Sequence, residues 1–581
     1  MTKEQEFHCD VLVVGSGAAG MSAAVSAAHQ GLNVLIVEKA ARFGGTAARS
    51  GGWVWIPGSD QAKAWGHLDS IESVKRYLKH EGGASYNEER VDAFLRHGPQ
   101  AAAFFSQDTA VKFEMPLTFP DYHAEAPGAA QGGRSMVAKP FDARQLGKHL
   151  AQLEPPLPEL TVFGMMIGSG NDIRHFMKAT RSLESAIYAT KRLTKHFWQT
   201  LTCGRGMTLT NGNALMGRLA KSVFDKNVPL WLNSPVRELI LKEGAVIGAK
   251  VEKEGSLYTV YASRGVVLAA GGFSHDIKRR SEHYPHTPTG KEHWSPTAET
   301  NTGDSLNMFE NIGGRVDSHL PNAAAWAPIS LTRRPDGGQG VMPHFIDRAK
   351  PGVIAVTRQG RRFTNEANSY HDFVQAMINV RDAKSEVCAW LVCDRRTLRR
   401  YGLGCVAPFP LPLKRHLTSG YLLEGRTLEA LAEKAGIEVA QFKATVEEYN
   451  RYAAYGQDPI FGKGSKAYNR YQGDALHNPN PCINTIERGP FYAVKVLPGD
   501  IGTYNGIPVD ADNRVLDQQK KPIRGLFAIG NDATSIMGGN YPGAGITLGP
   551  ALTFGYAVGQ YLAHCSTPSV SETIKKSILM L

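Results

Sequence analysis

Cysteine is scarce and scattered in this chain. Seven of the 581 residues are cysteine (Cys9, Cys203, Cys388, Cys393, Cys405, Cys482 and Cys565), and no two stand in CxxC spacing. An odd, unpaired set excludes a disulfide scaffold and predicts reduced thiols in a cytoplasmic protein. No His, Cys, Asp or Glu cluster has ligand spacing, so no metal is expected. Uninterrupted apolar runs stop short of the ~20 residues that span a bilayer. The polar opening "MTKEQEFHCD" runs straight into a strand, which leaves no room for a signal peptide. Internal repeats and low-complexity tracts are missing as well. Lys and Arg outnumber Asp and Glu by 65 to 54, yet they are dispersed, without zinc-finger spacing, an aromatic RNA motif or a basic tail. That dispersal argues against a nucleic-acid partner and leaves attraction to acidic surfaces open.

Glycine, by contrast, is abundant and placed where backbone must approach a ligand. The segment "DVLVVGSGAAGMSAAVSAAHQGLNVLIVEKA" holds a buried-type strand, Gly15-x-Gly17-x-x-Gly20, a helix of small residues that includes Ala18 and Ala19, and a second strand ending in Glu38-Lys39. A glycine motif between strand and helix, with an acid about 20 residues on, is the full dinucleotide-binding unit. Gly15 allows the tight turn, Gly17 admits a pyrophosphate, and Gly20 packs helix on strand. The helix N-terminus offers its free N–H groups to phosphate, and Glu38 takes a ribose. Just downstream, Gly44-Gly45-Thr46 and Ser50-Gly51-Gly52 extend this cradle beyond the needs of NAD.

These pieces resemble the FAD-binding domain of the fumarate reductase and 3-ketosteroid dehydrogenase superfamily. "SRGVVLAAGGFS", with Ala270 and Gly271, looks like that family's strand returning to the dinucleotide. "VLDQQKKPIRGLFAIGND" looks like its last FAD strand, with Gly530 and Asp532 beside the ribityl chain. The resemblance spans nearly the whole chain in family order. It implies an α/β protein: a Rossmann-like FAD-binding domain (residues 1–298 and 487–581) with an inserted α+β catalytic or capping domain (299–486). FAD is expected, held non-covalently, because no motif for covalent flavin is present. Between turns at Glu243-Gly244 and Glu254-Gly255, alternating apolar and polar residues predict a small antiparallel sheet.

Flavin implies hydride or electron transfer without naming a substrate. The fumarate reductase branch uses a His before a Thr-x-Gly-Gly turn and an Arg proton donor. This chain has Gly502 before Thr503-Tyr504-Asn505-Gly506, and Asn540-Tyr541 where that branch carries Asn-Arg. A dianion would meet no matching positive partner there, so carboxylate reduction recedes.

Three patches resemble the 3-ketosteroid Δ1-dehydrogenases instead: "FPDYHAEAPG" with Tyr122, "GRRFTNEANSYHDF" with Tyr370, and "NYPGAG" with Tyr541 and Gly545. The resemblance implies that Tyr370 and Tyr122 relay the α-proton while the Tyr541 hydroxyl and the Gly545 amide grip the ketone. Removing hydrogens from adjacent carbons beside a ketone needs fixed donors for the developing enolate. It also needs a phenol whose pKa is depressed or which has a partner, since a free phenol sits near ~10. Set against this, a lone Tyr is usually a packed residue with a satisfied hydroxyl. His123 and His371 read as surface or supporting residues, and Tyr492 and Tyr504 as pocket lining or packing.

The final "GITLGPALTFGYAVG" begins a helix whose amides, with Ile546, Thr547 and Leu548, face the flavin pyrimidine edge. The expected activity is therefore FAD-dependent introduction of a C1–C2 double bond into a 3-ketosteroid. A Δ4-(5α)-3-ketosteroid or other cyclic-ketone desaturase is the alternative, ahead of a fumarate-reductase-like ene reductase. The expected partners are an apolar ketone and an external electron acceptor such as a quinone. Residues 127–202 carry a helical pattern with Lys178, Arg181, Lys191, Arg192 and Lys195 beside apolar residues. It predicts either a core-packed helix with a solvated basic face or an element resting on a membrane.

Overall fold

The strand Gln5–Val14 lies inside an eight-stranded sheet, in parallel with Val34–Val37 on one side and Ser256–Leu268 on the other. This computed structural model describes residues 5–116, 118–381, 386–409 and 413–564. Cys565 lies outside them, as do the first four residues.

Val11, Leu12 and Val13 are fully buried, which is why this strand is apolar without alternation: both sheet faces are covered. One cover is the helix Ala18–His29. Its small residues let the C-terminal helix Leu548–His564 approach to backbone contact. A Cβ on Gly555 would sit 2.6 Å from that of Ser22, and one on Gly559 2.5 Å from that of Ser26. The serine hydroxyls donate to the carbonyls of Leu552 (2.8 Å) and Tyr556 (2.9 Å). The two ends of the chain are thereby locked together.

The expected antiparallel strands, Val236–Lys242, Ala245–Lys253 and Ser256–Leu268, form with positive φ at Glu243, Gly244, Glu254 and Gly255. They extend the main sheet and do not stand apart, because Ser256–Leu268 stays paired with Gln5–Val14 along its whole length.

A second, six-stranded sheet is built on the long strand Phe491–Thr503, which pairs antiparallel with Ala324–Arg333, Ala389–Asp394 and Leu423–Gly425. Residues 487–503, assigned from sequence to the returning nucleotide domain, thus supply the central strand of the inserted sheet. The nucleotide sheet resumes only at Arg514–Leu516. The helix Tyr370–Asn379 packs on Ala324–Arg333. Its N-cap is Ser369, whose hydroxyl accepts from the Asp372 amide at 3.1 Å, so Tyr370 stands at the first turn.

Residues 127–202 end in two helices, Asn171–Lys178 and Leu183–Cys203. The second buries only Ser185, Ala189 and His196, while Leu183, Ile187, Phe197, Trp198 and Leu201 are exposed. No helix among the described residues is long and apolar enough to cross a membrane.

Candidate active site

One cavity of about 1430 Å³ runs from the glycine turn to the inserted domain. A pocket for one small ligand is typically ~300–1,000 Å³, so this one has room for a dinucleotide and a second molecule.

At its nucleotide end, Gly15 has φ +109°, and a Cβ there would lie 2.3 Å from the Ala269 carbonyl oxygen; only glycine fits. Gly17 meets nothing within 4 Å, leaving an open cradle at the N-terminus of Ala18–His29, which has no side-chain cap. Uncapped N–H groups facing a cavity are what a pyrophosphate requires. Glu38 spans the turn: one oxygen accepts from the Ser16 amide (3.0 Å) and hydroxyl (2.6 Å), the other from the Ala40 amide (2.9 Å). Lys39 bonds Thr302 and Asp304, and Thr46 accepts from the Ala298 amide and the Asn301 side chain, both at 3.0 Å.

Most of the nucleotide residues expected from sequence line this cavity: Gly15, Gly17, Ala18, Ala19, Glu38, Lys39, Gly45, Thr46, Ser50, Gly51, Gly52, Ala270, Gly271, Gly530, Thr547 and Leu548. Four do not. Gly20 packs on the Gly15 carbonyl, and Gly44 turns the chain beside Ala48. Ile546 is buried behind the wall. Asp532, expected beside the ribityl chain, is buried with its oxygens on the amides of Ala270 (2.5 Å) and Gly272 (2.8 Å). It positions the backbone that faces the ligand and does not itself face the ligand. Asn531, Thr297, Ala298 and Asn301 also line the cavity; Asn531 follows Gly530 directly, and the other three sit at the junction with the inserted segment, where no glycine motif flags them.

At the other end the tyrosines converge. Tyr122, Tyr370, Tyr541 and Gly545 all line the cavity, although 419 residues separate Tyr122 from Tyr541. The hydroxyls of Tyr122 and Tyr370 are 3.4 Å apart, at the long end of hydrogen-bond reach. Tyr541 stacks on Tyr122 (centroids 5.6 Å, 14° between planes) and lies edge-on to Tyr370 at 4.9 Å. Its hydroxyl lies near Tyr370 and Thr547, which oppose the rise that burial imposes on it. Gly545 has φ +91°, and a Cβ would strike the Trp53 backbone at 2.3 Å, so its amide is pinned against the wall.

A fourth phenol, missed from sequence, extends the row. Tyr468 lies 4.4 Å from Tyr122 ring to ring, and its hydroxyl accepts from Gln472 Nε2 at 3.0 Å. Only the inserted domain's helix Ala467–Gln472 brings it there, and no motif marks it.

Burial raises all four phenols. Tyr541 and Tyr468 are pushed up to about 12, and Tyr122 and Tyr370 stand well above 10. The depressed phenol considered from sequence is therefore not found; the partner is. Of the four, Tyr468 alone has a nearby buried cation, Arg348, favouring its phenolate.

His123 bridges Glu81 (2.8 Å) and Asp372 (2.9 Å). Burial opposes its charge, but bonds to Asp372 and Glu81 outweigh this and push it up to about 10. It is neither a surface residue nor a base, but a clamp between the Tyr122 and Tyr370 segments. His371 is held neutral by burial, down to about 4, and its Nδ1 accepts from the Trp326 amide at 3.1 Å. Tyr492 packs in its strand and Tyr504 is buried beside His371; neither lines the cavity. No group of three or more His, Cys, Asp or Glu able to hold a metal occurs among the described residues.

Residues 10–548 match the family described as FAD binding domain. The chain is 43% identical to a 4-oxocyclohex-2-ene-1-carboxylate 5-dehydrogenase of Sinomonas cyclohexanicum, over 96% of this chain and 94% of that protein. It is 36% identical to a 3-oxosteroid 1-dehydrogenase of Mycobacterium tuberculosis, over 96% and 98%. Its fold matches the crystal structure of a 3-ketosteroid Δ1-dehydrogenase from Sterolibacterium denitrificans in complex with 1,4-androstadiene-3,17-dione. There the TM-score is 0.88 and the identity 37%, covering 96% of this chain and 99% of that one.

Proposed function

The chain belongs to the FAD binding domain family and is an FAD-dependent dehydrogenase of the steroid and cyclic-ketone kind, and from that premise we propose that it desaturates a 3-ketosteroid at C1–C2. The observation that carries this reading is the row of four phenols ending at a cavity wall where Tyr541 and Gly545 stand together.

In this reading the ketone oxygen rests between the Tyr541 hydroxyl and the Gly545 amide. As the α C–H breaks, charge moves onto that oxygen, and the two fixed donors stabilise it without reorganising. The Tyr370 oxygen takes the α-proton as its own hydroxyl proton moves to Tyr122, and the Tyr122 proton leaves the row in turn, so that one proton enters and one departs. The Arg348 guanidinium near Tyr468 partly offsets the cost that burial puts on negative charge at that end of the row. Bound FAD supplies acceptance of the β-hydrogen as hydride. The electrons leave later to an external acceptor, for which a quinone is suitable. Phe119, Met115 and Phe345 on the lining suit an apolar ring system and exclude water from the phenols.

A second reading has its own support: the 43% identical relative acts on a one-ring keto acid, so the substrate here is also sought among cyclohexanones bearing a carboxylate. The chemistry at the phenols is the same. Anaerobic mixing with 4-androstene-3,17-dione and with a 5α-saturated ketosteroid tests the assignment. Flavin bleaching by the former with a 1,4-diene product supports it; bleaching by the latter alone assigns the Δ4-(5α) reaction.

We also propose that the exposed apolar residues of Leu183–Cys203, flanked by Lys191 and Lys195, rest on a membrane surface from which apolar ketones are drawn.

A further inference from the structure

Beyond the phenols, the cavity wall carries a cation without a counter-ion. Lys350 lines the cavity and is partly open to it. Its ammonium donates to two main-chain oxygens, those of Gln472 (2.6 Å) and Gly473 (2.8 Å). No carboxylate among the described residues lies within ion-pair distance of it.

The two acids nearest to it are already engaged. Asp474 takes Arg181 (3.0 Å), Arg400 (2.9 Å) and the Tyr401 hydroxyl (2.8 Å) on one oxygen, and the Leu476 amide (3.1 Å) on the other. Asp347 takes His344 (2.6 Å) and the Gly404 amide (3.0 Å) on one oxygen, and the Arg348 amide (3.1 Å) on the other. Asp474 thus serves Arg181 and Arg400, Asp347 serves His344, neither bonds Lys350, and Arg181 is on the same lining. An interior charge is ordinarily paired, and Lys350, on the cavity lining with two main-chain acceptors and no carboxylate, is not. Burial pushes Lys350 down to about 8, the strain an arriving anion would relieve.

We infer that Lys350, with Arg181 beside it, forms a subsite for a carboxylate carried by the substrate at the end remote from its ketone. The inference rests on the ketone-dehydrogenase reading. Gln472 joins the two ends: its carbonyl holds the ammonium while its side-chain amide holds Tyr468. A ring ketone gripped at Tyr541 therefore has its far end directed to a charge, and neutral ketones of the same shape lose that contact.

The test uses product-like ligands that do not turn over, bound to the oxidised holoenzyme and followed by calorimetry. One pair is 4-hydroxybenzoate and its methyl ester; the other is 3-oxoandrosta-1,4-diene-17β-carboxylate and its methyl ester. Wild type should prefer the acid of at least one pair by roughly 10- to 100-fold, the range of a hydrogen bond to a charged group. Lys350→Met should collapse that ratio toward one, and Lys350→Arg should keep most of it. If Lys350 merely caps the helix end at Gln472, acid and ester will weaken together, and the inference is overturned. It is equally overturned if wild type shows no acid preference, a result that stands even where the Met variant fails to fold. Failure of the underlying reading looks different: no ketone, acidic or neutral, then bleaches the flavin.

Discussion

His123 bonds Asp372 at 2.9 Å, and each is a near neighbour in sequence of a phenol, Tyr122 and Tyr370. This one ion pair fixes the spacing between two segments 248 positions apart whose hydroxyls must meet. Its protonation sets when that spacing holds. His123 in the folded protein stays charged up to about 10, against roughly 6.5 for a free histidine.

A pH dependence of stability follows. The raised His123 contributes fully below about 6.5, and that contribution is lost as pH rises through about 10. Asp372, lowered in the fold despite its burial, contributes above ordinary carboxylate pKa values and is lost in acid. His123→Leu should cost roughly 3 kcal/mol near neutrality, as breaking a largely buried pair does, and should flatten the alkaline fall. Thermal melts from pH 6 to 10.5 on both proteins check this.

Removing ketone donors should strike kcat. Tyr541→Phe is expected to lower it by roughly 10²–10³. Gly545→Ala should be no milder, since its Cβ meets the Trp53 backbone at 2.3 Å. Steady-state kinetics with the best ketone measure both, and near-normal turnover in Tyr541→Phe contradicts the assigned grip.

Along the phenol row the losses should be graded. Tyr370→Phe abolishes most turnover, Tyr122→Phe costs less, and Tyr468→Phe costs roughly tenfold, below the ~10²–10⁴ of a group that transfers the proton directly. Because burial holds every phenol above 10, kcat/KM should climb with pH without a plateau below about 10. A bell centred near neutrality contradicts a phenol base.

Charge on the exposed helix should abolish surface binding. The triple change Leu183→Glu, Trp198→Glu and Leu201→Glu removes three exposed apolar residues. It is expected to eliminate co-sedimentation with vesicles containing anionic lipid while turnover of a water-soluble ketone persists. Equal sedimentation of both proteins contradicts membrane contact.

What was legible in the sequence was local. Gly15, Gly17 and Glu38 act within one strand–turn–helix–strand unit, so spacing alone places them. Tyr541 and Gly545 share one glycine-rich loop and could be taken as a pair. Asp532 is off the lining although its neighbours Gly530 and Asn531 are on it, because the fold turns its carboxylate back onto Ala270 and Gly272. Tyr468 and Lys350 carry no motif; the helix Ala467–Gln472 brings Tyr468 against Tyr122 and sets its C-terminal carbonyls on the Lys350 ammonium. The membership of Phe491–Thr503 in that sheet was likewise invisible, since a buried strand has the same apolar run in either sheet.

The most direct test of the central claim, that a cyclic ketone loses its α-hydrogen to phenols while gripped by Tyr541 and Gly545, is anaerobic stopped-flow mixing of holoenzyme with 4-androstene-3,17-dione deuterated at C2. Flavin absorbance should fall with a primary isotope effect and yield the 1,4-diene, and Tyr370→Phe should bind the ketone yet fail to bleach. Bleaching that survives Tyr370→Phe at the wild-type rate would contradict the account.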